Sequence, residues 1–63
     1  VKQLTDRETA VVRLVLEGLT NQQIGDRLHI ALRTVKVHRQ HAMEKLGVAN
    51  LVELTRLAER SPI

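Results

Sequence analysis

The sequence predicts an all-α fold: a four-helix bundle containing a helix-turn-helix, with helices at about 6–17, 21–28, 32–46 and 50–59. Three observations carry this. Thr5…Glu8, Thr20…Gln23 and Asn50…Glu53 repeat one helix-opening signal, a short polar cap residue followed three positions later by Glu or Gln. Each signal opens a run whose apolar residues recur at helical spacing. Residues 31–46 form a stretch of about four turns without Gly or Pro, and Gly47 follows directly.

In the first helix Thr5 can accept from the free N–H groups of the first turn, and Glu8 can reach back to the cap. Asp6 and Glu8 also suit the positive end of the helix dipole. Ala10, Val11, Leu14 and Val15 form the apolar stripe, with Val12 and Leu16 beside it, and Gly18 supplies the left-handed residue that ends the helix. Leu19 is expected to pack back. The second helix is short, with Ile24 and Leu28 as its buried pair. Gly25 lowers its helix propensity by about 1 kcal/mol relative to Ala, which makes sense if the following helix passes close by. His29-Ile30-Ala31 is the connection, with His29 left-handed and Ile30 plugging the core between the second and third helices. Beyond the third helix Val48 anchors the turn and Asn50 caps the fourth, where Leu51, Leu54, Thr55 and Ala58 share the inner face and Leu57 flanks them. The tail, residues 60–63, is expected to fray.

The third helix carries two faces of different chemistry. At 100° per residue, Val35, Arg39, Ala42 and Leu46 lie along one line, with His38 and Met43 at its margins. Arg33, Lys36, Val37, Gln40, His41 and Glu44 stand opposite. A core-facing helix needs only an outer face that water tolerates, whereas this one carries side chains able to reach phosphates and base edges. Val37, apolar among polar neighbours, suits a thymine methyl group. Arg39 points inward and reads as a structural ion pair or as a donor to a buried carbonyl.

Composition narrows the function. Sixty-three residues make one small domain, near the lower limit for folding unaided. There is no Cys, Phe, Trp or Tyr, so disulfides and thiolate metal sites are unavailable and the core is aliphatic. No apolar run approaches the roughly 18 residues of a membrane span, and a cytoplasmic setting is expected. Residues 1–26 hold three basic and four acidic side chains, residues 27–45 hold five against one, and residues 46–63 hold two of each. The net +3 therefore arises on or beside the third helix, where all three His also lie. A localised basic stripe is the electrostatic footprint of nucleic-acid binding.

Five segments in order resemble the LuxR-type (GerE-like) helix-turn-helix domain: Leu4-Thr5-x-Arg7-Glu8, Gly18-Leu19-Thr20-Asn21-x-x-Ile24, Leu28-x-Ile30, Thr34-Val35-Lys36-Val37-His38 and Lys45-Leu46-Gly47-Val48. The resemblance spans about residues 4–58. His38-Arg39 with Met43, and Leu51 where most members carry Arg, look closest to the output domains of FixJ-type response regulators. It implies a domain, 1–63, that is the C-terminal output half of a longer bacterial transcription regulator. Its partner is double-stranded DNA, read in the major groove at paired half-sites. By the resemblance Lys36, Val37 and Gln40 touch base edges, and Arg33 and Thr34 grip phosphates; Thr20 and His41 are expected to reach phosphates as well. The resemblance also implies that the fourth helix pairs two copies, with Val52 near the axis and Arg56 one turn later, and RNA polymerase is a candidate further partner. Three residues depart from the family pattern: Ala31 replaces the usual capping Ser, Gly25 stands where Ala is usual, and His29 where Gly or Asp is.

His38-x-x-His41-x-x-Glu44 has ligand-like spacing, but a structural zinc site takes four ligands and His29 is not placed to join them. No metal, cofactor or small-molecule ligand is expected, and without a nucleophile–base–orienter set no catalysis is expected either. Two alternatives stay open: a sigma-region-four-like promoter- and polymerase-binding module, and a protein-docking helical domain.

Overall fold

The computed structural model describes residues 3–61. It contains α1 (Asp6–Leu16), α2 (Asn21–Leu28), α3 (Leu32–Leu46) and α4 (Leu51–Arg60), with no strand among the described residues. The expected boundaries hold to within a residue at each end. Glu17 is the C-cap of α1, and Asn50 is the N-cap of α4 rather than its first residue. Of the tail residues expected to fray, Pro62 and Ile63 lie outside the described residues, whereas Arg60 is the last residue of α4 and the Ser61 N–H donates to the Leu57 carbonyl at 2.8 Å.

The helix starts are set by the side chains that the sequence singled out. Thr5 Oγ1 accepts from the Glu8 N–H at 3.1 Å while Glu8 Oε1 accepts from the Thr5 N–H at 3.0 Å. Thr20 and Gln23 repeat this exchange at 3.1 and 2.8 Å. The third expected box is only half formed. Asn50 Oδ1 accepts from the Glu53 N–H at 3.0 Å, but the Glu53 carboxylate reaches the Ala49 N–H and the Asn50 side-chain amide, both at 3.4 Å, instead of the Asn50 N–H. Asn50 has φ −156°, against −72° and −75° at the two threonine caps, so its own N–H is aimed differently.

Gly18 (φ 95°) and Gly47 (φ 72°) occupy the left-handed region in which a Cβ is strained, and each closes its helix by a pair of returning hydrogen bonds. At the first, the Gly18 N–H donates to Val15 and the Leu19 N–H to Leu14; at the second, Gly47 donates to Glu44 and Val48 to Met43. His29 adopts φ 58°, the left-handed turn residue between α2 and α3. The chain then turns tightly enough for the Ile30 N–H to reach the Gly25 carbonyl at 3.0 Å. Gly25 is explained by that turn. A Cβ there would lie 2.8 Å from the Ile30 carbonyl oxygen and 3.5 Å from Val35 Cγ2. The expected close approach is real, and its nearest atom belongs to the connecting turn rather than to α3.

The core is built by Val11, Val12, Leu14 and Val15 of α1, Ile24 of α2, Val35 and Ala42 of α3 and Leu54 of α4. Val12 is fully inside and Ala10 only half-buried, which inverts their expected ranking. Leu28 and Ile30 are half-buried flanking residues rather than fully enclosed ones. The larger correction concerns α4. Leu51 is 47% exposed and Thr55 is also exposed, so neither shares the inner face; Leu54 is buried, with Leu57 and Ala58 half-buried beside it. Only a narrow line of α4 touches the body, because α1, α2 and α3 pack mainly on one another and α4 is applied at their edge. The Thr55 hydroxyl is satisfied within the helix, donating to the Leu51 carbonyl at 2.9 Å.

Candidate nucleic-acid interface

With 15 residues, α3 is the longest helix, about 22 Å at 1.5 Å per residue. Its inner line buries Val35 and Ala42 completely, with His38, Arg39, Met43 and Leu46 half-buried around them. That line fixes the rotation of the helix, and the opposite face follows. Arg33, Lys36, Val37, Gln40, His41 and Glu44 are all exposed, as the periodicity required. Val37 shows 48% of its surface to solvent, whereas Val11, Val12, Val15 and Val35 are enclosed. Leu32, 38% exposed, adds a second apolar side chain near the start of the helix.

Two long-range contacts hold this face out. The Arg39 guanidinium turns inward and donates to Asn21 Oδ1 at 3.0 Å, tying the middle of α3 to the first turn of α2. Its acceptor is a side-chain amide, neither the carboxylate nor the buried carbonyl that the sequence reading offered. At the far end of α3, Lys45 Nζ lies 2.7 Å from Glu8 Oε1. The Glu8 side chain is only 6% exposed and that of Lys45 26%. Lys45 beside it, together with the Thr5 N–H, holds the Glu8 carboxyl below its ordinary value of 4.5 despite burial pushing the other way. One carboxylate thus caps α1 and anchors the end of α3.

These contacts revise the charge count. Five basic residues fall in 27–45, but Arg39 and Lys45 serve the frame, leaving Arg27, Arg33 and Lys36 among them for a partner. Arg39 keeps the inward structural role its place on the helix predicts and differs only in its acceptor, Asn21. Glu8, expected at the cap and the helix dipole, also pairs with Lys45, which the sequence places in the basic stripe.

The expected phosphate-gripping residues divide by exposure. Arg33, Thr20 and His41 are exposed and Thr34 is half-buried. Thr20 stands at the start of α2, its oxygen already accepting from Gln23 and its hydroxyl proton left to donate. Arg33 and Thr34 lie in the first turn of α3, whose cap residue, Ala31, makes no side-chain hydrogen bond. The amides of that turn therefore lack the usual capping oxygen and add positive dipole where an anion would sit. On the reading face Gln40 is engaged: its Nε2 donates to Glu44 Oε1 at 3.2 Å. Glu44, together with His38 and His41, formed the ligand-like spacing; among the described residues no three His, Cys, Asp or Glu side chains converge on a metal position.

A short helix braced behind a longer one, joined by a tight turn and presenting a polar, partly basic outer face, defines a helix-turn-helix domain for double-stranded DNA. Comparison with known proteins agrees. Residues 2–58 match the family described as bacterial regulatory proteins, luxR family (GerE). The chain belongs to that family, and it is a LuxR-type DNA-binding domain of the kind response regulators carry. The C4-dicarboxylate transport transcriptional regulatory protein DctR of Rhodobacter capsulatus is 50% identical over 50 residues, covering 79% of this chain and 25% of that protein. The tetrathionate response regulatory protein TtrR of Salmonella typhimurium is 42% identical over 59 residues, covering 94% of this chain and 29% of that protein. Among solved structures, the response regulator StyR superposes with a TM-score of 0.91 at 47% identity, covering 94% of this chain and 30% of StyR. The RcsB response regulator of Salmonella typhimurium gives 0.90 at 32% identity, covering 95% of this chain and 29% of RcsB. The chain spans about a quarter to a third of the length of these proteins. The sigma-like and protein-docking alternatives give way to the family match.

Proposed function

We propose that this domain is the output half of a longer, cytoplasmic bacterial response regulator, and that it acts by binding DNA rather than by catalysis. In this reading α3 lies in the major groove, about 12 Å wide and able to admit a helix. Lys36, Val37 and Gln40 meet base edges. Arg33 and Thr34 at the start of α3, Thr20 at the start of α2 and His41 on the flank meet phosphates, fixing register without reading sequence. The observation that carries the reading is the uninterrupted exposure of this face, with Val37 at its centre 48% accessible. No helix among the described residues is long and apolar enough to cross a membrane.

A single small domain buries little DNA surface, and specificity in this class comes from two half-sites about 34 Å apart. The open face of α4 supports pairing. Leu51 (47% exposed), Val52 (59% exposed) and the exposed Arg56 share it, giving a patch one Leu wider than the sequence suggested. Two copies joined through α4 would offer two α3 helices to half-sites one DNA turn apart. RNA polymerase is a further partner consistent with the output role of such domains. Selection of bound duplexes from a random library tests the function. The expected product is a pair of symmetric half-sites at one-turn spacing; failure to enrich any sequence over random duplex would contradict it.

A further inference from the structure

Glu44 is an anomaly on a face that meets a polyanion. It is exposed, lies on the same side of α3 as Arg33, Lys36 and Gln40, and carries the only negative charge between residues 27 and 45. Repulsion from phosphates would weaken binding to every sequence, so an acid at this point needs a compensating use. Its side-chain hydrogen bond supplies a candidate: Gln40 Nε2 donates to Glu44 Oε1 at 3.2 Å.

We infer that Glu44 is a positioning residue that fixes the polarity of the Gln40 amide and thereby sets which bases Gln40 accepts. The inference rests on the proposed reading of α3 as the recognition helix. An ionised carboxylate only accepts hydrogen bonds, so the amide must turn its NH₂ end toward Glu44, and its carbonyl oxygen is left facing outward. A free glutamine can reverse its amide and present either a donor or an acceptor. Held by Glu44, it presents an acceptor. In the major groove adenine offers the N6 amino group and cytosine the N4 amino group, whereas guanine offers O6 and N7 and thymine O4, all acceptors. Gln40 in this state favours the amino bases. Adenine fits best, since the second Nε2 hydrogen can still meet its N7. In that docked orientation guanine O6 and thymine O4 face the Gln40 carbonyl oxygen, leaving at most a single bond from the remaining Nε2 hydrogen. Exclusion of water at the DNA surface strengthens the Gln40–Glu44 bond relative to its value in the free domain.

The test uses the 63-residue domain on its selected duplex, with each position in turn changed to all four base pairs and affinity read by fluorescence anisotropy. The position read by Gln40 is the one whose preference Gln40→Ala flattens. There the parent should favour adenine or cytosine over guanine and thymine by about tenfold or more. Glu44→Ala should bring that ratio to within about twofold, leave preferences at the other positions intact and leave the melting temperature unchanged. Glu44→Gln removes the same charge, and its amide can bond either end of Gln40. It should relax the ratio likewise while raising affinity for all duplexes, separating loss of polarity from loss of repulsion. A ratio unchanged in Glu44→Ala, or a parent preference for guanine or thymine at that position, overturns the inference alone. If Gln40→Ala flattens no position the inference is overturned, and if Val37→Ser also flattens none the reading of α3 falls with it.

Discussion

Leu54 is the residue through which the fourth helix is attached, and its truncation is a sharp test of the packing. It is 0% exposed and the one fully buried side chain of α4; Leu57 and Ala58 are half-buried and the other residues of the helix are exposed. Leu54→Ala removes about three carbon groups, worth roughly 0.8 kcal/mol each in transfer from water. The cavity adds to this, within the usual range of about 2–5 kcal/mol for a buried leucine. Because α4 lies at the edge of the body and can settle inward, a loss of about 3 kcal/mol is expected. A chain of 63 residues has only about 3–9 kcal/mol in total. The loss should fall unevenly: α4 undocks first, while Val11, Val12, Ile24, Val35 and Ala42 still hold α1, α2 and α3 together. Urea titration followed by helical circular dichroism gives the overall loss. Amide exchange should show Leu57 and Ala58 losing protection before Val15 and Val35. A loss below about 1 kcal/mol, or exchange that rises equally everywhere, would refute the view that α4 is held by this one anchor.

Three further outcomes are expected. Ile30→Ala should cost about 2 kcal/mol, the low end for an isoleucine, because Ile30 is half-buried; this is milder than the near-complete unfolding that full burial would bring, and a urea midpoint equal to the parent's would remove Ile30 from the frame. The Glu8 carboxyl is held below 4.5 in the folded chain by Lys45 and the Thr5 N–H, so its contribution is complete above about pH 4.5 and is lost as pH falls through the lowered folded value. Urea midpoints measured between pH 2 and 6 should decline for the parent and decline less for Glu8→Gln; parallel curves would show that this group is not the cause. Val52→Glu places a charge on the open face of α4 and should abolish cooperative binding to a two-half-site duplex with little change in melting temperature, whereas a large loss of stability would mean that Val52 is packed inside.

The sequence made local geometry legible and left long-range geometry hidden, for a physical reason. The capping exchanges of Thr5 with Glu8 and Thr20 with Gln23 join residues three apart, and the left-handed turns at Gly18, His29 and Gly47 depend on single residues. Helical periodicity also placed Arg33, Lys36, Val37, Gln40, His41 and Glu44 on one outer face without any tertiary knowledge. By contrast Lys45 meets Glu8 across 37 residues and Arg39 meets Asn21 across 18; residue type alone does not choose between several acids or amides. The rotation of α4 differs from the expected one because Leu51, Val52, Leu54 and Leu57 offer more than one apolar stripe, and only the edge of the packed body decides which one turns inward. The size of Gly25 marks a close approach, but the atom that requires it, the Ile30 carbonyl oxygen, is set by the folded turn.

The central claim is that the outer face of α3 reads DNA while its first turn grips the backbone, and affinity measured against salt tests it most directly. The parent, Arg33→Ala, Val37→Ser and Gln40→Ala are titrated against the selected duplex and a random duplex at several salt concentrations. Arg33→Ala should weaken both duplexes alike and make the slope of log affinity against log salt shallower by about one unit, the signature of one lost phosphate contact. Val37→Ser and Gln40→Ala should leave that slope nearly unchanged and cost roughly 1–3 kcal/mol on the selected duplex only. If Val37→Ser and Gln40→Ala weaken both duplexes equally, or weaken neither, the face that carries them is not the reading surface.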